Sequence, residues 1–190
     1  WQKIFDITYE DVQWVATGEW LTKETWDKYS IEQAHGAVNH HYVKENWMTT
    51  GIKWPRMMIS TDALPALDLD VLTNPNIAGT FSRVLGHYVR DTNILSLHEG
   101  LAKMSLYQAQ WMAQTTPAFN KKGRIQTGSD ADIVIFDPQT IAANASYGDP
   151  YQAPTGIQHV VVGGRHIVKD SVRLEGRYPG KKILGKGLAE

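Results

Sequence analysis

The 190-residue chain contains no cysteine. That absence removes disulfides, thiolate nucleophiles and cysteine-based zinc sites together, leaves a reducing compartment as the default, and restricts any metal to His and carboxylate ligands. No apolar run approaches the ~18 to 20 residues needed to span a bilayer, and the N-terminus lacks a charged-then-apolar signal pattern. No membrane partner and a cytoplasmic location are therefore expected, although a start at Trp1 rather than Met suggests that an upstream segment, a signal included, is absent. Neither sign of charge dominates: 19 Lys and Arg stand against 20 Asp and Glu. The charges are interspersed, so no polybasic face for nucleic acid is advertised. Internal repeats and low-complexity tracts are missing as well.

What is present is an apolar content of 42%, enough for one ordinary domain with a real core or one and a half small ones. The expected partner is a small molecule or another protein surface. Seven tryptophans suit either core packing or an assembly surface, which leaves an oligomer open.

The first third alternates helix and strand. Thr22, with Glu24 and Thr25 close behind, predicts a capped helix running to about Gln33 and ended by Gly36. Residues 37–42 read as a short strand, and 44–52 as a second helix stopped at Trp54-Pro55. Residues 56–61, Arg-Met-Met-Ile-Ser-Thr, form a near-continuous apolar run of the kind that makes a strand buried on both faces of a parallel sheet. Strand, helix and strand together predict one crossover unit of an α/β fold. Residues 62–78, with Pro65 and Pro75, read as a long irregular loop, and such loops are usually functional. Helices are expected over about 80–90 and 96–113, the second opened by a Ser96/Glu99 capping box and striped by Leu97, Leu101, Met104 and Ala109. From about residue 121 the composition turns to short β-rich runs punctuated by glycine, at 123–128, 131–137 and 157–168, with Gly163-Gly164 as a hairpin turn.

Three stretches together resemble the amidohydrolase superfamily and, within it, the N-acyl-D-amino-acid deacylase (D-aminoacylase) branch. Residues 57–65, Met-Met-Ile-Ser-Thr-Asp-Ala-Leu-Pro, are similar to the family's last barrel strand, which ends in Ser-Asp-Gly. Residues 79–90, Gly-Thr-Phe-Ser-Arg-Val-Leu-Gly-His-Tyr-Val-Arg, look like the branch's Gly-Thr-Phe-Pro-Arg-Val-Leu-Gly-Arg-Tyr-Val-Arg helix. Lys122-Gly123-Arg124-Ile125, Gly128, Asp130-Ala131-Asp132-Ile133-Val134 and Phe136-Asp137-Pro138 resemble the superfamily's re-entry into its small β-sandwich. The resemblance covers residues 37–170 in register.

The resemblance implies a (β/α)8 barrel whose metal site lies at the C-terminal ends of its strands, flanked by a β-sandwich built from both chain ends. Residues 1–120 would be the C-terminal part of that barrel and 121–190 a segment of the composite sandwich. Because eight strand–helix units alone take ~250 residues, most of the ligands for one or two divalent ions, zinc foremost, should lie upstream. The missing barrel strands would then be the chain's closest partner, since an isolated two-strand slice exposes unpaired edges.

The implied function is metal-dependent hydrolysis of an amide C–N bond in a small-molecule N-acyl amino acid. Asp62, directly after the apolar run, matches the family aspartate that approaches the metal, takes a proton from its water and passes it to the leaving nitrogen. The plain alternative is an aspartate that caps the next turn. His40 and His41 end the preceding strand, so one is expected to face the barrel mouth and line the substrate pocket, His41 being the candidate, unless both are hydrogen-bonded fillers. Arg83 could grip a substrate carboxylate or salt-bridge within its own helix. His87 and His98 are expected to be surface or packing residues, and His159 and His166 structural.

Two departures stand out. Thr61-Asp62-Ala63 replaces Ser-Asp-Gly, which keeps the carboxylate but adds a Cβ after it. Asn74-Pro75-Asn76 replaces His-Pro-Arg, which points to a neutral or differently anchored amide if that Arg grips the α-carboxylate. Two further readings follow from the same motifs: a cyclic-amide hydrolase resembling dihydroorotase or hydantoinase, against which the deacylase-like helix argues, and a non-catalytic scaffold of the same fold, which the carboxylate at 62 disfavours.

Overall fold

The computed structural model describes residues 1–63 and 73–185 and has mixed α/β content. Contacts divide it into two compact units that interleave along the chain: residues 1–52, 61–80 and 144–153 form one, and 53–60, 81–143 and 154–190 the other.

In the first unit, helix α1 (Gln2–Phe5) leads through a 3₁₀ turn into strand β1 (Val12–Trp14), followed by helix α2 (Lys23–Glu32), strand β2 (Val38–His40) and helix α3 (Glu45–Lys53). The α2 cap is the expected one: Thr22 Oγ1 accepts from the Thr25 amide, and Thr25 returns the bond to the Thr22 amide. Such reciprocal capping satisfies donors that the first helical turn leaves orphaned. β1 and β2 pair antiparallel, Val12 opposite His40 and Trp14 opposite Val38. Ile7, Val12, Trp14 and Leu21 form the core, with Trp1, Phe5, Trp26, Tyr29, Val38 and Tyr42 packed on it.

The second strand expected from the sequence does not form. Residues 57–63 carry no strand assignment, and Met57 and Met58 are 41% and 38% exposed rather than buried on both faces. A strand exists only with a ladder partner, and here the Ile59 backbone is bonded to helical residues instead. Hence no parallel crossover unit joins residues 38–40 to 56–61 among the described residues.

Most of the expected 62–78 loop, residues 64–72 with Pro65, lies outside the described residues. Its end is helical rather than irregular, because α4 runs Asn76–Arg83 after Asn74 Oδ1 accepts from the Asn76 amide. A π-helical stretch, Val84–Asp91, continues it.

In the second unit, Ser96 caps α5 (Leu97–Leu101) through the expected box with Glu99. A π stretch, Ala102–Leu106, then passes into α6 (Tyr107–Ala113). Residues 123–128 form turns rather than a strand, since Gly123 and Gly128 both sit at positive φ. Glycine is needed at 123, where a Cβ would lie 2.9 Å from both the Ala109 methyl and the Ser105 carbonyl. Strands β3 (Ile133–Phe136), β4 (Ile157–Val162), β5 (Arg165–Lys169) and β6 (Val172–Arg173) make one antiparallel sheet in sequence order. Gly163 and Gly164, at φ 55° and 77°, make the β4–β5 turn, as two consecutive left-handed residues should in a tight hairpin.

The motif around residues 122–132 has a structural explanation. Lys122 Nζ bridges Asp130, at 3.0 Å, and Asp132, while Asp132 Oδ1 accepts from the Gly163 amide at 2.8 Å. One lysine thus ties the chain entering the sheet to its central hairpin.

Candidate active site

Asp62 stands at the end of the run that begins after α3. Its backbone is left-handed, φ 50°, a conformation that an aspartate tolerates better than most residues. Non-glycine residues held there cluster at functional sites. Thr61 Oγ1 accepts the Ala63 amide at 3.3 Å, a short turn that brackets the aspartate. Asp62 is exposed.

The run that delivers Asp62 is anchored in the second unit. Trp54 O accepts from Lys103 Nζ at 2.7 Å, the Ile59 amide donates to Lys103 O at 2.9 Å, and Gln108 Nε2 donates to Ile59 O at 2.9 Å and to Lys103 O at 2.6 Å. Lys103 is 1% exposed. Helical periodicity does not reveal these anchors; the one available signal is a lysine standing between Leu101 and Met104 in an apolar stripe.

His40 ends β2 and His41 follows it, and the two rings lie among different neighbours. The His40 ring lies among Trp1, at 5.1 Å, Phe5 and Trp26. His41 lies between Trp20 and Tyr147, each with ring centroids 4.6 Å away. Burial pushes both imidazoles below their usual pKa, while Asp11 opposes the shift at His41. The Nε2 atom of each is buried with no hydrogen-bond partner, so neither is the hydrogen-bonded filler that position alone suggests.

Arg83 is exposed, with its guanidinium 5.6 Å from the centre of the Tyr88 ring. His87 packs against Tyr88, at 4.8 Å, and His98 is exposed. His159 Nδ1 accepts from the Asp170 amide at 3.2 Å, and its ring meets His166, so both serve the sheet.

Among the described residues no group of three or more His, Asp or Glu is placed to hold a metal ion. Asp62 offers one oxygen donor of the type zinc accepts. That fits one ligand of a metal site and not a complete set. No helix among the described residues is long and apolar enough to cross a membrane.

Comparison with known proteins places these features. The chain is 36% identical over 107 residues to an N-acyl-D-glutamate deacylase of Alcaligenes xylosoxydans xylosoxydans, covering 56% of this chain and 20% of that protein. It is 35% identical over 128 residues to a D-aminoacylase of the same organism, covering 66% and 24%. It thus spans about a fifth to a quarter of the length of these relatives. Among solved structures, an N-acyl-D-glutamate deacylase from Bordetella bronchiseptica, complexed with zinc and a phosphonate mimic of the tetrahedral intermediate, matches with a TM-score of 0.72. The identity there is 28%, over 84% of this chain and 35% of that one. The profile of the amidohydrolase family matches residues 36–168, a stretch that includes His40, His41, Asp62, Arg83 and the Lys122 motif, and the chain belongs to that family.

Proposed function

We propose that this chain is the C-terminal portion of a metal-dependent amidohydrolase that cleaves the amide of an N-acyl amino acid, in the manner of the D-aminoacylases. Residues 1–120 would close a (β/α)8 barrel, and 121–190 would belong to a β-sandwich completed by the rest of a longer chain. The exposure of Met57 and Met58 supports a neighbouring element supplied from outside these residues.

The observation that carries the reading is Asp62: a carboxylate in left-handed backbone, at the end of an anchored run, within the stretch that matches the family. A bound divalent ion, zinc or its like, would lower the pKa of water to ~7 and polarise the scissile carbonyl. The Asp62 carboxylate accepts the proton that the attacking water loses and delivers it to the leaving nitrogen, which must depart as a neutral amine. Arg83 is the proposed partner of a substrate carboxylate, its charge directed by the Tyr88 ring. His41, set between two aromatic rings, is a proposed pocket-lining residue.

The test uses the full-length, metal-replete protein with N-acetyl-D-glutamate, N-acetyl-D-aspartate and N-acetyl-D-leucine. Hydrolysis of at least one is expected, and Asp62→Asn should lower kcat by about 10²- to 10⁴-fold with metal content unchanged. Near-normal turnover by the metal-loaded variant removes Asp62 from its role. No hydrolysis of any of the three by the wild type removes the deacylase reading.

A further inference from the structure

The three hydrogen bonds that join residues 54–59 to Lys103 in the π stretch and to Gln108 just after it are more than local packing. In an α-helix the Tyr107 amide would bond the carbonyl of Lys103; here it reaches back to Ala102 O. The Lys103 carbonyl, which the Tyr107 amide does not take, accepts the Ile59 amide at 2.9 Å and a Gln108 Nε2 hydrogen at 2.6 Å. Gln108 gives its other hydrogen to Ile59 O, at 2.9 Å, and the Lys103 ammonium takes Trp54 O, at 2.7 Å. Both ends of the run are thereby fixed by one turn of one helix. π turns of this kind are frequent at functional sites.

Stability alone is poorly served by this arrangement. An ammonium on a residue 1% exposed is held by a single backbone carbonyl, and an apolar side chain of similar volume would fill the position at lower desolvation cost. Gln108 leaves its Oε1 buried without a hydrogen-bond partner while Nε2 serves two carbonyls. Both side chains give up favourable solvation to hold backbone atoms, and the chain they hold reaches Asp62 three residues after Ile59.

We infer that Lys103 and Gln108 are positioning residues for Asp62, acting through the run Trp54–Ile59 that they clamp. The inference rests on the proposed role of Asp62. Orientation is where such a clamp matters, because a displacement of about 1 Å in a reacting group costs about 100-fold in rate.

The experiment is a cycle on the full-length zinc-loaded protein with N-acetyl-D-glutamate, or whichever of the three substrates it hydrolyses best. It compares Gln108→Leu, Lys103→Met, Asp62→Asn and each clamp variant combined with Asp62→Asn. Each is assayed well below its own melting temperature with zinc content measured. The expected result is a kcat loss of about 10- to 100-fold for each clamp variant, with little change in KM or zinc, and no further loss when it is added to Asp62→Asn. Lys103→Met carries the same comparison if Gln108→Leu does not fold, and the reverse. Near-wild-type kcat in the folded clamp variants overturns the inference. So does an equal fold-loss with and without the Asp62 carboxylate, which would mark a general structural effect. In either case an inactive Asp62→Asn leaves the proposed role of Asp62 standing, whereas an active Asp62→Asn removes that role and with it the inference.

Discussion

Replacing Gly36 with alanine puts a methyl group inside the indole of Trp14. The added Cβ would lie 1.8 Å from Cη2, 2.3 Å from Cζ2 and 2.9 Å from Cζ3, against the ~3.5 to 4.0 Å at which carbon atoms rest in contact. Neither side yields easily. Trp14 is 5% exposed, stacks on Tyr29 at 4.8 Å, and shares the core with Ile7, Val12 and Leu21. Gly36 is held by its amide bond to Gln33 O, at 2.8 Å, and Ala37 O next to it accepts from Val15. Overpacking of this kind costs about 1 to 3 kcal/mol, and the depth of the overlap argues for the upper half of that range. The assay is urea unfolding of the full-length protein followed by tryptophan fluorescence, with near-UV circular dichroism reporting on Trp14. Combining Gly36→Ala with Trp14→Phe, which removes the colliding atoms, should recover ~1 kcal/mol or more relative to the sum of the single changes. An unchanged midpoint at unchanged slope, or strict additivity in the double variant, would refute the packing argument.

Two further outcomes follow from charge. Lys122→Met should destabilise the protein by about 0.5 to 1 kcal/mol, a modest figure because the lysine and its carboxylate partners are partly exposed. Lys122, then the Gly163 amide, holds the Asp132 carboxyl below its ordinary value, and Asp132 foremost raises Lys122. The depressed carboxyl stabilises the fold above ~pH 4 and stops doing so as pH falls through its folded pKa; the raised lysine stabilises below ~pH 10 and stops as pH rises through its own. The difference between wild type and Lys122→Met should therefore be flat between those limits and vanish beyond both, and a difference that persists at pH 2 counts against the bridge. His40 and His41, whose pKa partial burial lowers, bind fewer protons folded than unfolded around their titration, so stability should fall as pH drops below ~6.5 and level off once both are charged in the fold. Imidazole NMR titrations should give midpoints below ~6.5 for both; a midpoint above it would reverse the assignment.

The parts of the structure legible in the sequence are those decided by residues close together in the chain. The Thr22 and Ser96 caps and the Gly163-Gly164 turn each follow from local backbone chemistry. The run at 56–61 misleads because its apolar composition reports a need for burial without naming a partner, and its Ile59 backbone groups are taken by Lys103 and Gln108 from far along the chain. For the same reason β1 escapes notice: Val12–Trp14 is too short to stand out, and its partner lies beyond a helix. The π stretches leave no periodic mark, since one skipped carbonyl shifts the register by less than the scatter of an apolar stripe. Asp62 follows the run at 56–61, but the strand expected to present it does not form, and its left-handed backbone leaves no mark in the sequence.

The two sheets also differ in how they can assemble. β4 and β5 meet across Gly163 and Gly164 alone, so their first hydrogen bonds close a loop of minimal length and form on the microsecond scale of an isolated hairpin. β1 and β2 can pair only after the chain between them has turned back through α2. The hairpin that Lys122 reaches through Asp132 is therefore the natural first structure of the second unit, while the ribbon that carries His40 waits on helix formation and long-range closure.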